Sequence, residues 1–336
     1  MTLPGGIVVR SVIAEQDVDA ALTVVSTCEL AGVGWTDATR ESVTAQLIGP
    51  DALAEAHLIA FDGDAPVGLL AAEIDRHGRE MFLDAFAIGD HAVALQRALL
   101  TRGISTASQV AAADPVASAA EVDNPYELSP DIWQVVSAAY EQDEAYRDVL
   151  VSLGFRPIRR FWRMLQDLSA TPPERPEAPE GVALRVVDGD ADRRLMHELF
   201  CESFAEHFGS SNDRPFEDWI ATVEALPGTD PSRWWIATHN GQPVGICLLD
   251  DSKAEFGEGY VRTLGVVPAA RGRGVATWLL ACAAADSAAR GRTGLALSVD
   301  GENTTGATAL YTSVGFATRQ VIDVWCYPLL DNASSK

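Results

Sequence analysis

The segment LGVVPAARGRGVATWLL, residues 264–280, carries the pattern that decides the fold of the second half of the chain. An apolar stretch ends at Pro268, a short turn holds Gly272 and Gly274, and a second apolar run follows. Proline ends a strand, and glycine permits a positive φ. The pattern therefore predicts a strand, a tight turn, and a helix that begins near residue 275.

The start of this predicted helix is suited to bind an anion. The first N–H groups of a helix have no partner within it, and the helix dipole adds partial positive charge there. Gly272 and Gly274 let a ligand approach the backbone, and small Ala276 keeps the first turn uncrowded. Arg271 and Arg273 can add charge-assisted hydrogen bonds. By itself the turn predicts a cradle for a pyrophosphate, and the alternative is a plain tight turn with arginines facing solvent.

Short strands and helices alternate through the rest of the second half. We predict strands at 182–187, 260–267, 294–300 and 318–327, a hairpin at 234–250, and helices at about 190–208, 215–225, 275–290 and 307–315. Asn240-Gly241 supplies the positive φ of a hairpin turn. Hairpins mixed with β-α-β crossovers indicate an α+β fold.

The two halves of the chain resemble each other weakly. HLIAFDGDAPVGLLAAEI (57–74) has the same plan as WWIATHNGQPVGICLLDD (234–251), with an apolar run, a turn and Pro-Val-Gly. SLGF (152–155) likewise matches SVGF (313–316). Repeats in the same order predict a duplicated domain.

A proline- and glutamate-rich segment, SATPPERPEAPEG (169–181), lies between the halves. Such a composition predicts a semi-rigid, solvated linker. We therefore expect a first domain at 1–168, a second at 182–330, and a short tail at 331–336.

The residues after the turn extend the pattern with DGENTTGATALYTSVGF (300–316). V-x-P-x-x-R-G-x-G-V-A, with Arg271, Gly274 and Ala276 at its core, resembles the coenzyme A-binding motif of the GNAT acetyltransferase superfamily. The downstream segment resembles the family ending N-x-x-A-x-x-L-Y-x-x-x-G-F. The likeness is specific over roughly 260–316 and architectural elsewhere. It implies two tandem GNAT-like domains, each a mixed, mostly antiparallel β-sheet flanked by helices.

The resemblance also implies roles for individual residues. Tyr311 matches the tyrosine that protonates the departing thiolate, and Asn303 matches the asparagine that contacts the cofactor arm. A phenol can donate to a thiolate as the amide forms. In the family, the strand before the turn holds the pantetheine arm as an extra strand would. The acetyl-CoA residues expected on this basis are Leu264, Gly265, Val266, Arg271, Gly272, Arg273, Gly274, Val275, Ala276, Asn303 and Tyr311.

The general base is open to more than one assignment. An amine acceptor must lose a proton. We place Glu258 first, because some family members carry a base near this position. Water is an alternative, and so is the absence of any base. Other side chains near the expected acceptor pocket or the cofactor strand are Glu255, Tyr260, Glu202, Glu206 and His207.

The first half lacks the residues that carry this chemistry. When Gly154-Phe155 is aligned with Gly315-Phe316, Tyr311 falls on Leu150 and Asn303 on Gln142. The corresponding strand-to-helix segment places Asp90 where a pyrophosphate would lie. We therefore predict a first domain with the fold and without catalysis.

The composition of the chain limits the classes of molecule that it is expected to bind and the compartment in which it is expected to work. The net charge of −23 argues against nucleic acid and against an anionic membrane surface, and it fits either an amine substrate or simple solubility. The five cysteines are scattered and form no C-x-x-C pair, which is typical of proteins from a reducing compartment. The sequence has no signal peptide pattern and no apolar span. We expect a cytoplasmic protein without a metal, and a monomer, with a homodimer as the alternative.

These observations lead to one main hypothesis and two alternatives. The main hypothesis is an N-acetyltransferase that moves an acetyl group from acetyl-CoA to the primary amine of a small molecule. An acyl-CoA-binding sensor or partner module without turnover is the first alternative. An acetyltransferase that acts on a protein amine is the second.

Overall fold

The structure, a computed structural model, describes residues 6–36, 38–114, 124–129, 131–205, 214–301 and 307–329. The chain divides into two compact units. The first unit contains residues 1–160 and 322–336, and the second contains residues 161–321. Three of the predicted site residues, Glu206, His207 and Asn303, lie outside the described residues.

The first half of the sequence forms six strands and four helices within the described residues. The strands are β1 (Val8–Ser11), β2 (Leu58–Asp62), β3 (Ala65–Asp75), β4 (Glu80–Ala87), β5 (Gln134–Tyr140) and β6 (Arg156–Asp167). The helices are α1 (Val18–Val33), α2 (Arg40–Ile48), α3 (Ala92–Ala113) and α4 (Glu144–Leu153).

The second half repeats this order of elements, again within the described residues. The strands are β7 (Val182–Val186), β8 (Thr229–His239), β9 (Gln242–Asp250), β10 (Glu258–Val266), β11 (Gly294–Asp300) and β12 (Phe316–Pro328). The helices are α5 (Gly189–Ser203), α6 (Phe216–Ala225), α7 (Val275–Ala289) and α8 (Ala307–Ser313). The predicted elements of this half are thus confirmed, with α5 ending at Ser203, short of the predicted 208.

Each unit has a mixed, mostly antiparallel sheet flanked by helices, which confirms the predicted fold class. Strand order is β1-β2-β3-β4-β5-β12 in the first unit and β6-β11-β10-β9-β8-β7 in the second. The parallel pairs are β4 with β5 and β10 with β11. At the hairpin between β8 and β9, Asn240 and Gly241 have φ of 51° and 79°, which the Asn-Gly pair predicts.

The division of the chain differs from the boundaries that the sequence predicts at 168 and 182. Residues 161–167 of β6 pair antiparallel with β11 in the second unit. Residues 322–328 of β12 pair with β5 in the first unit. The sheet of each unit therefore includes the end of a strand from the other half of the sequence. Strand pairing between distant residues is not visible in composition, so the linker alone could not reveal this exchange.

The segment at 169–181 forms no helix or strand, as its prolines predict. It belongs to the second unit, where the Trp278 indole N–H donates to the Pro176 carbonyl over 3.4 Å. Asn240 N also donates to the Gly181 carbonyl over 2.8 Å, so the backbone of this segment is anchored, whereas the sequence predicts a solvated linker.

Apolar side chains fill the spaces between sheet and helices in each unit. In the first unit, Leu83 and Leu99 pack in one core cluster, and Val24 and Leu69 pack in another against α1 and α2. In the second unit, a larger cluster joins strands and helices; its members include Trp234, Ile236, Leu248, Leu279 and Leu295. These cores fix the strands whose ends form the site described below.

A carboxylate in the first unit, Glu73 of β3, is held in a partly dry environment. Burial raises the pKa of Glu73 to about 7, the carboxylate of Asp84 adds to the increase, and a hydrogen bond from Gln46 opposes it. The folded pKa lies above the ordinary value of 4.5. The folded state therefore binds the proton more tightly than the unfolded state, and the free energy of unfolding falls as pH rises through this window.

We expect Glu73→Gln to raise the free energy of unfolding by about 1–3 kcal/mol at pH 8 and to leave it unchanged at pH 4. Glutamine keeps an acceptor for Gln46 and has no charge to desolvate. Urea unfolding at both pH values measures the difference. Glu55→Gln, at an exposed carboxylate, is the control and should change neither value. An equal stabilisation at both pH values would contradict this explanation.

Candidate functional site

The two parallel strands at the centre of the second unit separate from one another. The pairing of β10 with β11 covers only Glu258–Val261 against Gly294–Leu297. The register of β10 with β9 shifts between Val261 and Thr263, which leaves Arg262 as a bulge. Beyond the bulge, β10 stays paired with β9 alone while β11 pairs with β6. A gap therefore opens between the ends of β10 and β11.

A cavity of about 610 Å³ occupies this gap. The predicted cofactor residues that line it are Leu264, Gly265, Val266, Arg271, Gly272, Gly274, Val275, Ala276 and Tyr311. Arg273 does not line it and its side chain is exposed. A cavity of this size, lined by both apolar and polar side chains, has the form of a small-molecule site.

Helix α7 begins at the edge of the cavity. Gly274 precedes it with φ of 77°, and none of the side chains that the structure describes caps the helix. Residues Val275, Ala276 and Thr277 line the cavity at the first turn. Their N–H groups belong to the helix end that lacks internal partners, where partial positive charge accumulates. This end of the cavity is therefore suited to an anionic group such as a phosphate.

Arg271 fastens the turn to helix α5. Its Nε donates to the Val266 carbonyl over 3.2 Å, and its Nη2 donates to the Ser203 carbonyl over 3.0 Å. The guanidinium thus binds backbone oxygens of two elements, β10 and α5, that both line the cavity. This arrangement gives Arg271 a structural role in addition to the charge that the motif supplies.

Tyr311 of α8 lies on the cavity wall with its ring largely buried. It is 9% exposed, and its ring packs against Phe316 with centroids 5.9 Å apart. Burial raises the pKa of Tyr311 to about 12. The phenol therefore keeps its proton at neutral pH and can serve as a hydrogen-bond donor or an acid toward a group in the cavity.

Glu258, the first candidate for the general base, does not line the cavity with Tyr311 and the residues of the turn. It is 5% exposed, lies outside the cavity lining, and accepts a hydrogen bond from Arg319 Nη1 over 2.6 Å. The Glu258 carboxylate is thus engaged in an ion pair outside the cavity. Of the other candidate bases, Glu202 and Glu255 are exposed, and the Tyr260 hydroxyl donates to Ser298 Oγ over 3.2 Å. None of these side chains lines the cavity.

Several lining residues have no counterpart in the sequence-based prediction. Phe161 reaches the cavity because its strand pairs with β11, where it lies opposite Asp300. The remaining residues come from α5 and its C-cap, the turn before α7, and β10, α7, β11 and α8; those with aromatic or polar side chains are Phe200, Ser203, Phe204, Arg262, Thr263, Thr277, Ser298 and Asp300. The helix spacing of Phe200 and Phe204 could have identified a common face, whereas no local signal marks Phe161.

In the first unit the corresponding gap is closed by its own side chains. The pairing of β4 with β5 covers only Glu80–Phe82. Past that point, Asp84 Oδ1 accepts from Ala138 N over 2.9 Å. The Tyr146 hydroxyl accepts from Ala85 N over 3.1 Å and lies 2.8 Å from Ser137 Oγ.

Asp84 and Tyr146 thus bridge the two strands where the second unit has open space. Burial raises the pKa values of both side chains, which keeps the phenol protonated. The sequence comparison identifies the loss of the motif in this half. It does not reveal that polar side chains fill the gap.

Two further features concern metals and membranes. Among the described residues, no cluster of three or more His, Cys, Asp or Glu side chains has the arrangement of a metal site. No helix in the described parts of the chain has both the length and the apolar character needed to cross a membrane.

Solved structures with the same architecture match nearly the whole chain. A GCN5-related N-acetyltransferase from Sphaerobacter thermophilus superposes with a TM-score of 0.78 at 23% identity, covering 98% of each chain. A tandem GNAT protein from the clavulanic acid biosynthesis pathway gives a TM-score of 0.70 at 14% identity, covering 97% of this chain and 99% of that one. The fold is therefore the tandem GNAT fold.

The sequence comparisons agree with this fold. Residues 193–316 match the model of the acetyltransferase (GNAT) family. A mycothiol acetyltransferase from Thermobispora bispora is 33% identical over 177 residues, which cover 51% of this chain and 58% of that relative. The chain thus aligns with somewhat more than half the length of the curated relatives it matches. Residues 193–316 are therefore similar to the GNAT family, and the fold of nearly the whole chain is similar to that of tandem GNAT proteins.

Proposed function

We propose that the second unit is an N-acetyltransferase that moves an acetyl group from acetyl-CoA to the primary amine of a small molecule. The observation that carries this proposal is the cavity between β10 and β11, with the α7 N-terminus at one end and the Tyr311 phenol on its wall. Relatives named mycothiol acetyltransferases support acetyl transfer as the reaction.

The residues of the cavity fit acetyl-CoA as a substrate. The unpaired edge of β10 at 264–266 offers backbone N–H and C=O groups to an extended amide-bearing arm, as a neighbouring strand would. The turn at 271–276 offers free N–H groups to the pyrophosphate. Asn303 remains a predicted contact to the arm, and Arg273 a predicted contact to the phosphates.

The chemistry requires one bond to form and one to break. The acceptor nitrogen forms the new C–N bond to the acetyl carbon, and the C–S bond to the thiol breaks. Tyr311 donates its proton to the departing thiolate sulfur, which its raised pKa permits because the phenol stays protonated. The proton that the amine nitrogen loses passes to water, since none of the candidate bases that the structure describes lines the cavity, and water returns a proton to the Tyr311 phenolate.

A direct assay tests the proposal. Release of coenzyme A thiol from acetyl-CoA should require an amine and should be fastest for one member of a panel of small primary amines. The panel includes peptides with a free N-terminus or lysine, so that a protein acceptor is recognised as a separate outcome. Absence of both thiol release and acetyl-CoA binding would contradict the proposal.

We further propose that the first unit does not bind acetyl-CoA, because Asp84, Ser137 and Tyr146 occupy its gap. Calorimetric titration should then give a single equivalent per chain. Gly274→Val should abolish binding, since φ of 77° strains a β-branched residue at the start of α7. The matched control is Gly89→Val, at φ of 83° before α3, which should leave binding intact. Residual binding by Gly274→Val would contradict the single-site proposal.

The cellular setting is part of the same proposal. None of the five cysteines, all of which lie in described residues, forms a disulfide, which fits the cytoplasm that the sequence predicts. A monomer remains the predicted state.

A further inference from the structure

The hydroxyl of Ser203 is a buried polar group that has no hydrogen-bond partner among the described residues. Ser203 is the last residue of α5, is 4% exposed, and lines the cavity. Within the described part of the chain, nothing donates to or accepts from its Oγ. A buried hydroxyl that loses its water without gaining a partner destabilises the folded protein, so each such group calls for an explanation.

The backbone of Ser203 is fixed at this position. Arg271 Nη2 binds its carbonyl, as described above. On the other side α5 lies close to β10: a Cβ atom built on Gly265 would be 2.9 Å from Ser203 Cβ and 3.0 Å from its Oγ. Because helix and strand are held this close, backbone movement cannot carry the hydroxyl out to solvent.

The neighbours of the hydroxyl define the chemistry of its missing partner. Phe204 adjoins it, with Cε2 3.0 Å from the same Cβ position on Gly265, and Phe200 packs on Phe204 with ring centroids 4.9 Å apart. The adjacent Arg271 guanidinium already donates to two backbone carbonyls. Aromatic surroundings favour a neutral partner over a charged one, because burial of an uncompensated charge is costly.

We propose that Ser203 Oγ hydrogen-bonds a secondary amide of the acyl donor's arm when that arm lies along β10. A hydroxyl donates and accepts, and an amide offers a group of each kind. Gly265 is part of the β10 edge assigned to the arm, whereas the phosphates are assigned to the turn that follows. The inference rests on the proposed function and adds a binding residue outside the family motif.

Ser203→Ala separates this role from a structural one. Removal of an unpartnered buried hydroxyl should leave the melting temperature of the ligand-free protein unchanged or higher. The dissociation constant of acetyl-CoA should rise about 10-fold, as expected for one lost hydrogen bond to a neutral group. The dissociation constant of ADP, which carries the nucleotide and pyrophosphate without the arm, should not change.

Ser287→Ala provides a matched control in the same unit. Ser287 is fully buried and lies outside the cavity lining, and its Oγ accepts from Arg233 Nη2 over 3.3 Å. This variant should lower the melting temperature of the ligand-free protein and leave the affinity for acetyl-CoA unchanged. The two serine variants should therefore affect stability and binding in opposite ways.

Three outcomes would overturn the inference. If Ser203→Ala lowers the melting temperature and leaves acetyl-CoA affinity unchanged, the hydroxyl is structural. If the variant weakens ADP as much as acetyl-CoA, the partner is a phosphate and not an amide. Failure of the unaltered protein to bind acetyl-CoA would overturn the proposed function together with this inference, and is recognised because the unaltered protein is titrated first.

Discussion

Replacement of Tyr311 by phenylalanine should lower kcat by about 10²- to 10⁴-fold, the usual contribution of a positioned proton donor. The ring is buried against Phe316, and phenylalanine keeps that packing while removing the only atom that can donate a proton. The dissociation constant of acetyl-CoA should change little, because the strand edge and the helix start are intact. Single-turnover kinetics combined with calorimetric titration measure both quantities.

The control for this variant is Tyr126→Phe in the first unit, whose hydroxyl donates to the Gly154 carbonyl over 3.2 Å. It should have the activity of the unaltered protein. Because burial raises the pKa of Tyr311 to about 12, the loss in Tyr311→Phe should also be constant across pH 6–9. If the protein is a sensor without turnover, Tyr311→Phe should leave acetyl-CoA binding unchanged and there should be no rate to lose. If the variant loses acetyl-CoA affinity as much as rate, the hydroxyl contributes to binding and not to proton transfer.

Replacement of Arg233 by methionine should destabilise the second unit by about 3 kcal/mol or more. The Arg233 side chain is fully buried. Its Nε donates to Asp286 over 2.9 Å, and its Nη1 donates to Asp251 over 2.9 Å and to the Asp250 carbonyl over 3.2 Å. Methionine would remove these hydrogen bonds and the one to Ser287 Oγ, and would leave Asp286 paired with Arg290 and Asp251 paired with Arg292. The network joins β8 to α7, the helix whose start forms one end of the cavity.

Hydrogen exchange measures this effect unit by unit, because a single unfolding transition cannot be assumed for a chain with two compact units. Amides of β8 and α7 should exchange faster in Arg233→Met, and those of β3 should not. Arg194→Met is the control, since Arg194 is half-exposed beside Asp190 and Glu217, which are 71% and 72% exposed. It should cost no more than about 1 kcal/mol. Comparable losses in both variants would contradict a special role for the buried arginine.

The local elements of the fold could be predicted from the sequence with short errors at their ends. The predicted helix at 275–290 is found at Val275–Ala289, and the strand at 294–300 is found at Gly294–Asp300. Such elements depend on neighbours in sequence: proline and glycine at their ends and apolar spacing within them. Helix α5 ends at Ser203, whereas the sequence predicts a helix to about residue 208, because nothing in the local pattern marks Ser203 as its last residue.

The candidate site was predictable only where it follows a continuous motif. The turn at 271–276 and Tyr311 belong to segments with fixed spacing, and the structure brings them to one cavity. Glu258 also lies at the expected place in its strand. Its carboxylate accepts a hydrogen bond from Arg319, which is 61 residues away in the sequence. A local sequence pattern cannot predict a contact over this separation.

The sequence by itself determined the hairpins, the strand-to-helix turn with its glycines, and the loss of the tyrosine at Leu150, because each depends on a short run of residues and its backbone preferences. The tertiary structure alone decided which residues enclose the cavity. Phe161 reaches it through strand pairing with β11, Ser203 through the contact of α5 with Gly265, and the first unit's gap is filled by Asp84 and Tyr146. These contacts join residues that are distant in the chain. They depend on burial and on strand register, and both exist only once the whole sheet has formed.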